Sequence, residues 1–291
     1  MTESAAHPRE SLPLDTTAQL LWRITDQLGT QLSHVSLNGT PRRMTDRPTL
    51  VAVAHGSRDP RALRTVTGLL DRVRELRPGL DVRLGHIELN EPLLTDTLAA
   101  LEGPRAVLVP LLLSRGFHIK HDLPEAAAAV PGADIRIAAP LGPHPLLVEA
   151  LRSRLTEAGW RAEDGTSRSA GVVLAAAGSR DPDSAADVRR TAELLSERLG
   201  GVPVVAAYAS AASPTVPAAV RALTARGRHR IAVASYFASP GLFATRSAAA
   251  SPWIAAAPLG THPALARLLL QRYDEALSPS YATGRRELAT A

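Results

Sequence analysis

The sequence predicts an α/β protein built from two tandem, similar parallel-sheet domains. Two observations predict it. Residues 50–60 read LVAVAHGSRDP and residues 172–182 read VVLAAAGSRDP, a repeat in a register of 122 residues. Within each copy, short near-continuous apolar runs alternate with stretches of helical spacing, the pattern of a parallel sheet covered by helices on both faces. The repeat continues beyond its first motif. LGHIELNEP (84–92) aligns with AAYASAASP (206–214), AVLVPLLLSRGFH (106–118) with IAVASYFASPGLF (231–243), and both copies end alike in APLGPHP (139–145) and APLGTHP (257–263).

Taken in order, residues 1–47 stand outside both copies. Leu20, Leu21, Ile24, Leu28 and Leu32 fall at helical spacing within Thr16–Leu32, and the polar tract 36–48 reads as a linker. The first copy, 48–158, has strand candidates at Thr49–Ala54, Asp81–Ile87, Ala106–Leu112 and Asp134–Ala138. Helix candidates are Arg61–Leu76, Pro92–Leu101, Leu123–Ala129 and Pro145–Ala158, the last with proline in its first turn, where a missing N–H costs little. The polar, glycine-bearing stretch 159–170 suits a linker between domains. A second copy follows over 171–278 on the same plan, and 279–291 reads as a flexible tail.

Composition narrows the function classes. A chain of 291 residues has length for two domains of about 120 residues each. It has no apolar run of membrane-spanning length and no basic-then-apolar leader at its start. Zero cysteines exclude disulfides, thiolate metal sites and cysteine nucleophiles, as expected of a cytoplasmic protein. The net charge of +5 is carried almost wholly by arginine, Lys120 being the only lysine. Arginine suits carboxylate or phosphate ligands, although a solvated basic surface accounts for the charge as well. The arginines are scattered and aromatics make up only 3% of residues, so a nucleic-acid partner is not expected.

The polar chemistry is not repeated with the scaffold. His55 faces Ala177, Glu88 faces Ser210 and His118 faces Phe243 in the aligned copies. In an open α/β sheet, ligands bind outside the carboxyl ends of the strands. His55 follows the first strand, Glu88 ends the second and His118 lies just after the third, so three loops bring these side chains to one sheet edge. Two imidazoles and a carboxylate suit a divalent ion such as Fe²⁺, Co²⁺ or Ni²⁺. One active copy and one supporting copy is the arrangement expected.

HGSRDP after the first strand, IELNEP after the second and GFHIKHDLP after the third together resemble the sirohydrochlorin and cobalt chelatase family. The resemblance covers roughly residues 48–275; the extension is outside it. It implies two lobes facing each other across a cleft, and insertion of a divalent metal into sirohydrochlorin, an octacarboxylate tetrapyrrole, on the route to sirohaem or cobalamin. His55, Glu88 and His118 match the family's ligand positions, which implies roles in metal binding and in accepting the pyrrole protons, undivided among the three. On that reading the metal is substrate and no cofactor is permanently bound.

Secondary candidates surround these. Gly56 and Ser57 offer donors for a substrate carboxylate, yet GSRDP also stands in the second copy, as a turn and helix cap would. Arg58, Arg115 and Lys120 are candidate carboxylate clamps or plain surface charge. Asp122 is read as a cap for the helix near Leu123 and His86 as a partner behind Glu88. His144 and His262, matched between the copies, read as structural. Internal duplication can replace a homodimer, predicting a monomer, with a dimer through the extension as the alternative. A metal or tetrapyrrole carrier would use the same ligands, and a phosphate-binding module is disfavoured by the absence of a glycine-rich phosphate loop.

Overall fold

The computed structural model describes residues 47–278. Most of the extension, including the helix expected over 16–32, and the tail 279–291 lie outside the described residues.

The first apolar run becomes strand β1, Thr49–Ala54, buried along its whole length. Side chains alternate across a strand, so Val51 and Val53 point to one face of the sheet while Leu50, Ala52 and Ala54 point to the other. Strands β2 (Val82–His86), β3 (Arg105–Pro110) and β4 (Asp134–Ile137) join it in a parallel sheet of order β2-β1-β3-β4. Helices α1 (Pro60–Leu76), α2 (Leu94–Ala99), α3 (Phe117–Lys120), α4 (Asp122–Ala128) and α5 (Pro145–Glu157) belong to this copy. The second copy contributes β5 (Ala170–Ala176), α6 (Pro182–Arg198), β6 (Val204–Tyr208), α7 (Val216–Ala225), β7 (Arg230–Ser235), α8 (Leu242–Ala249), β8 (Ile254–Ala255) and α9 (Pro263–Leu277). Its sheet, β6-β5-β7-β8, repeats the order of the first.

Three apolar cores follow. The outer face of each sheet has its own, with Leu94, Leu98 and Leu123 closing the first and Val216, Ala219 and Leu223 the second. The third lies between the sheets and is continuous. It joins Leu50, Val107 and Val109 of one sheet to Val172, Leu174 and Ala232 of the other through α1, α5, α6 and α9.

The final helices are exchanged. Helix α5, counted by sequence with the first copy, packs on α6 and β7 of the second, and α9 packs on α1, β3 and β4 of the first. The sequence boundary at 158 therefore does not mark a closed lobe. Burial of Leu147, Leu151 and Leu155 stabilises this exchange by roughly 1.5–3 kcal/mol for each side chain. Polar contacts follow the same crossing. The Tyr273 hydroxyl donates to the Pro48 carbonyl at 2.6 Å, Arg77 pairs with Asp274 at 2.5 Å, and Arg154 Nη2 donates to the Leu259 carbonyl at 2.9 Å.

The stretch 159–170, expected as a polar linker, is anchored. It contains a turn of 3₁₀ helix over Ala162–Thr166. Trp160 is buried, and the buried Asp164 carboxylate accepts from the Arg161 N–H at 2.8 Å and meets Arg230 at 2.9 Å. The helix expected over Pro92–Leu101 is shorter at its start because the Pro92 carbonyl accepts the His86 N–H at 3.0 Å, extending the sheet edge.

Candidate metal and tetrapyrrole site

The carboxyl ends of β1 and β2 place two of the expected residues side by side. The Ile87 N–H donates to the Ala54 carbonyl at 2.9 Å and the Glu88 N–H to the His55 carbonyl at 3.1 Å. So close an approach needs Gly56. Its φ is +103°, and a Cβ there would overlap the Glu88 carbonyl. Gly178 does the same against the Ser210 carbonyl in the second copy, at φ +92°. The turn geometry is thus common to both copies, while the side chains it presents are not.

His55 Nδ1 lies 3.6 Å from Glu88 Oε1, and both side chains are exposed. His118 comes from α3, whose start at Gly116 follows β3 by a short loop. Its ring centroid is 4.7 Å from that of His55, and the two rings are perpendicular. The three residues expected to converge from 33- and 30-residue separations are therefore neighbours at one sheet edge. Among the described residues, no three imidazole or carboxylate groups form a preformed metal cage.

Behind His118 stands Asp122. Its Oδ2 is 2.5 Å from His118 Nδ1. The cap expected of Asp122 is absent, since His121 occupies the cap position of α4 with no side-chain bond to the helix. Pro124 explains the break between α3 and α4. Its ring would clash with the carbonyl four residues back in a continuous helix. The second copy has Ala249 at the matching position, and α8 runs unbroken over Leu242–Ala249.

The secondary candidates divide. At the GSRDP corner Ser57 is bonded within the fold: its N–H donates to Asn90 Oδ1 at 2.6 Å, and its Oγ accepts from the Asp59 N–H at 3.1 Å. Arg115 and Lys120, considered as carboxylate clamps, bind aspartates of the second copy. Arg115 Nη2 meets the buried Asp187 at 2.7 Å, and Lys120 Nζ meets Asp181 at 2.7 Å and Asp183 at 2.9 Å. Those carboxylates raise the Lys120 ammonium above its ordinary value, and Lys120 in turn lowers Asp181. Arg58 stays exposed on the rim. His86 is buried instead of backing Glu88; its Nδ1 sits 3.2 Å from the Pro92 carbonyl, and burial lowers its pKa. Sequence reasoning missed Asn90 and the three aspartates, because nothing in their local spacing marks contacts 33 to 72 residues away.

The two copies border an open cavity of about 1280 Å³ lined by His55, Arg58, His118 and the corresponding loops of the second copy. Its walls are mostly apolar. Phe117 and Leu242 are each 60% exposed, and they line this space with Leu63, Leu89 and Phe243. Of the described large apolar side chains left open to solvent, Leu76 alone lies elsewhere. Apolar walls with imidazoles at the edge suit a flat, largely apolar ring carrying polar groups on its margin.

The CbiX family pattern matches residues 49–158 and again 171–276. The chain belongs to the CbiX family. Among its relatives, the sirohydrochlorin ferrochelatase of Bacillus subtilis is 30% identical over 172 residues, covering 57% of this chain and 64% of that protein. A sirohydrochlorin cobaltochelatase of Priestia megaterium is 25% identical over 242 residues, covering 77% of this chain and 78% of that one. The solved structure of SirB from Bacillus subtilis with Fe³⁺ superposes with a TM-score of 0.64 at 24% identity, over 81% of this chain and 98% of that one. The fold of the family is therefore the fold seen here, with two parallel four-stranded sheets flanked by helices.

Proposed function

We propose that this protein is a sirohydrochlorin chelatase, a lyase that inserts Fe²⁺ or Co²⁺ into the tetrapyrrole at one site. The observation that carries the reading is the placement of His55 and His118 side by side on a largely apolar cavity, with Glu88 beside His55, in a chain of this family. The related proteins include both a ferrochelatase and a cobaltochelatase, and the ligand set suits either metal.

The chemistry follows from the groups present. The metal is substrate. It enters with water ligands and is held by the two imidazoles and the Glu88 carboxylate. Four pyrrole nitrogens replace those ligands as the ring settles between Phe117 and Leu242. Two pyrrole N–H protons leave, and a neutral imidazole or a carboxylate at the metal's side accepts them before passing them to water. The products are the metallated ring and two protons. Arg58 on the rim faces the ring's carboxylates. Gly56 and Ser57 hold the His55 loop in shape, and Arg115 and Lys120 hold α3 against the second copy. The same reading takes the protein as cytoplasmic, in keeping with its lack of cysteine, and as a monomer, since one chain supplies both walls, with a dimer as the alternative.

The test is a spectral titration with sirohydrochlorin and Fe²⁺, then Co²⁺, at protein concentrations far below substrate. Many turnovers per chain, lost in His55→Ala or His118→Ala, are expected. A change that stops at one equivalent would replace the chelatase with a carrier.

A further inference from the structure

We infer that Asp122 is a positioning residue for His118, fixing the imidazole so that Nε2 is the nitrogen offered to the metal. The inference rests on the chelatase reading for the role of His118 and on independent geometry for the role of Asp122.

Three observations support it. The Asp122 carboxylate lies 2.5 Å from His118 Nδ1 and makes no capping bond to the helix it begins. A carboxylate accepts only, so the hydrogen between them sits on Nδ1, which leaves the Nε2 lone pair for a metal. The second observation is the break between the two helices. Pro124 ends α3 after one turn and starts α4 at Asp122, and this interruption lies between the two residues of the pair. The third is an internal control. In the second copy, Phe243 replaces His118 and Ser247 replaces Asp122. The Ser247 hydroxyl is buried without a hydrogen-bond partner among the described residues. Where the imidazole is lost, the carboxylate is lost with it, and the polar atom left in its place bonds to nothing.

The experiment uses the full chain as wild type, Asp122→Ala, Asp122→Asn, His118→Ala and the Asp122→Ala/His118→Ala double variant. Co²⁺ affinity is read with the metal alone against a chromophoric competitor, and kcat and KM are read with sirohydrochlorin. Asp122→Ala is expected to weaken Co²⁺ binding and kcat about 10- to 100-fold with KM for the tetrapyrrole unchanged. Asp122→Asn should recover part of the loss, because its carbonyl oxygen still accepts from Nδ1–H. The double variant should be no worse than His118→Ala. Wild-type Co²⁺ affinity in Asp122→Ala, or a double variant whose loss equals the product of the singles, overturns the inference. Thermal melting of each variant separates misfolding from repositioning, and the near-isosteric Asn variant decides the matter if the Ala variant is unstable. A wild-type protein that fails to metallate sirohydrochlorin would sink the chelatase reading, while the Co²⁺ affinities would still decide the role of Asp122.

Discussion

The hydroxyl of Tyr236, at the end of the second sheet, donates to the Leu113 carbonyl of the first copy at 2.7 Å. It crosses beneath the cavity and ties the loop that carries His118 to the opposite sheet. Tyr236 is buried, its ionisation is pushed far up by that burial, and its oxygen also lies 3.3 Å from Thr191 Oγ1.

Tyr236→Phe keeps the ring and removes the donor, leaving the Leu113 carbonyl without this partner. Such a loss costs about 1–3 kcal/mol. The expected result is a lower denaturant midpoint with an unchanged slope, together with a modest fall in kcat. A midpoint equal to wild type would mean that water replaces the hydroxyl.

The exchanged helices predict that half of the chain is not a folding unit. Residues 1–158 alone would leave the apolar face of α5 without α6 and β7, and the first sheet without α9. That fragment should melt without a cooperative transition and bind apolar dyes. A sharp two-state melt for it would show that the first copy closes on itself.

Much of this architecture was legible in the sequence, for a physical reason. A strand buried on both faces must be almost wholly apolar, as Leu50–Ala54 is after Thr49, and the repeat fixed which strand matched which. The convergence of His55, Glu88 and His118 followed from strand ends sharing one edge of a parallel sheet. The helix exchange did not follow, because an amphipathic helix declares that one face is buried without naming the partner. Asp122 misled for a related reason. An acid at a helix start signals a cap, and only the folded chain shows its carboxylate meeting His118 instead. The tract 159–170 read as a linker on polarity, yet Trp160 and Asp164 anchor it through residues remote in sequence.

Acid should loosen the matched helix starts. His144 Nδ1 accepts the Leu146 N–H at 3.1 Å and His262 Nδ1 accepts the Ala264 N–H at 3.2 Å. Burial lowers both pKa values below the ordinary 6.5, with Arg272 and Arg154 adding to the effect. The unfolded chain then binds these protons first, so stability falls as pH drops below about 6.5 and levels off below the folded values. Protonation also removes each cap acceptor, a contribution of about 1 kcal/mol per helix. A His144→Asn/His262→Asn variant keeps an acceptor that does not titrate. Its melting temperature should vary less between pH 8 and pH 5 than that of wild type, the remainder reflecting buried His86. Parallel curves for the two proteins would refute the assignment.

The apolar walls predict a division of labour that kinetics can read. Phe117 and Leu242 meet the cavity from opposite copies at matched positions, each just after the glycine that starts its helix. Neither is a metal ligand, so each contributes only through area removed from water when the ring enters. Truncating either side chain to alanine forfeits roughly 1.5 kcal/mol, or about a tenfold rise in KM for the tetrapyrrole. Co²⁺ affinity of the protein alone should not change, because the imidazoles and Glu88 are left in place. Stability should hold or improve, since both side chains are largely exposed before the ring binds. Co²⁺ affinity measured beside KM for Phe117→Ala and Leu242→Ala separates the wall from the ligands. A fall in metal affinity without a rise in KM would place these side chains with the metal and not with the ring.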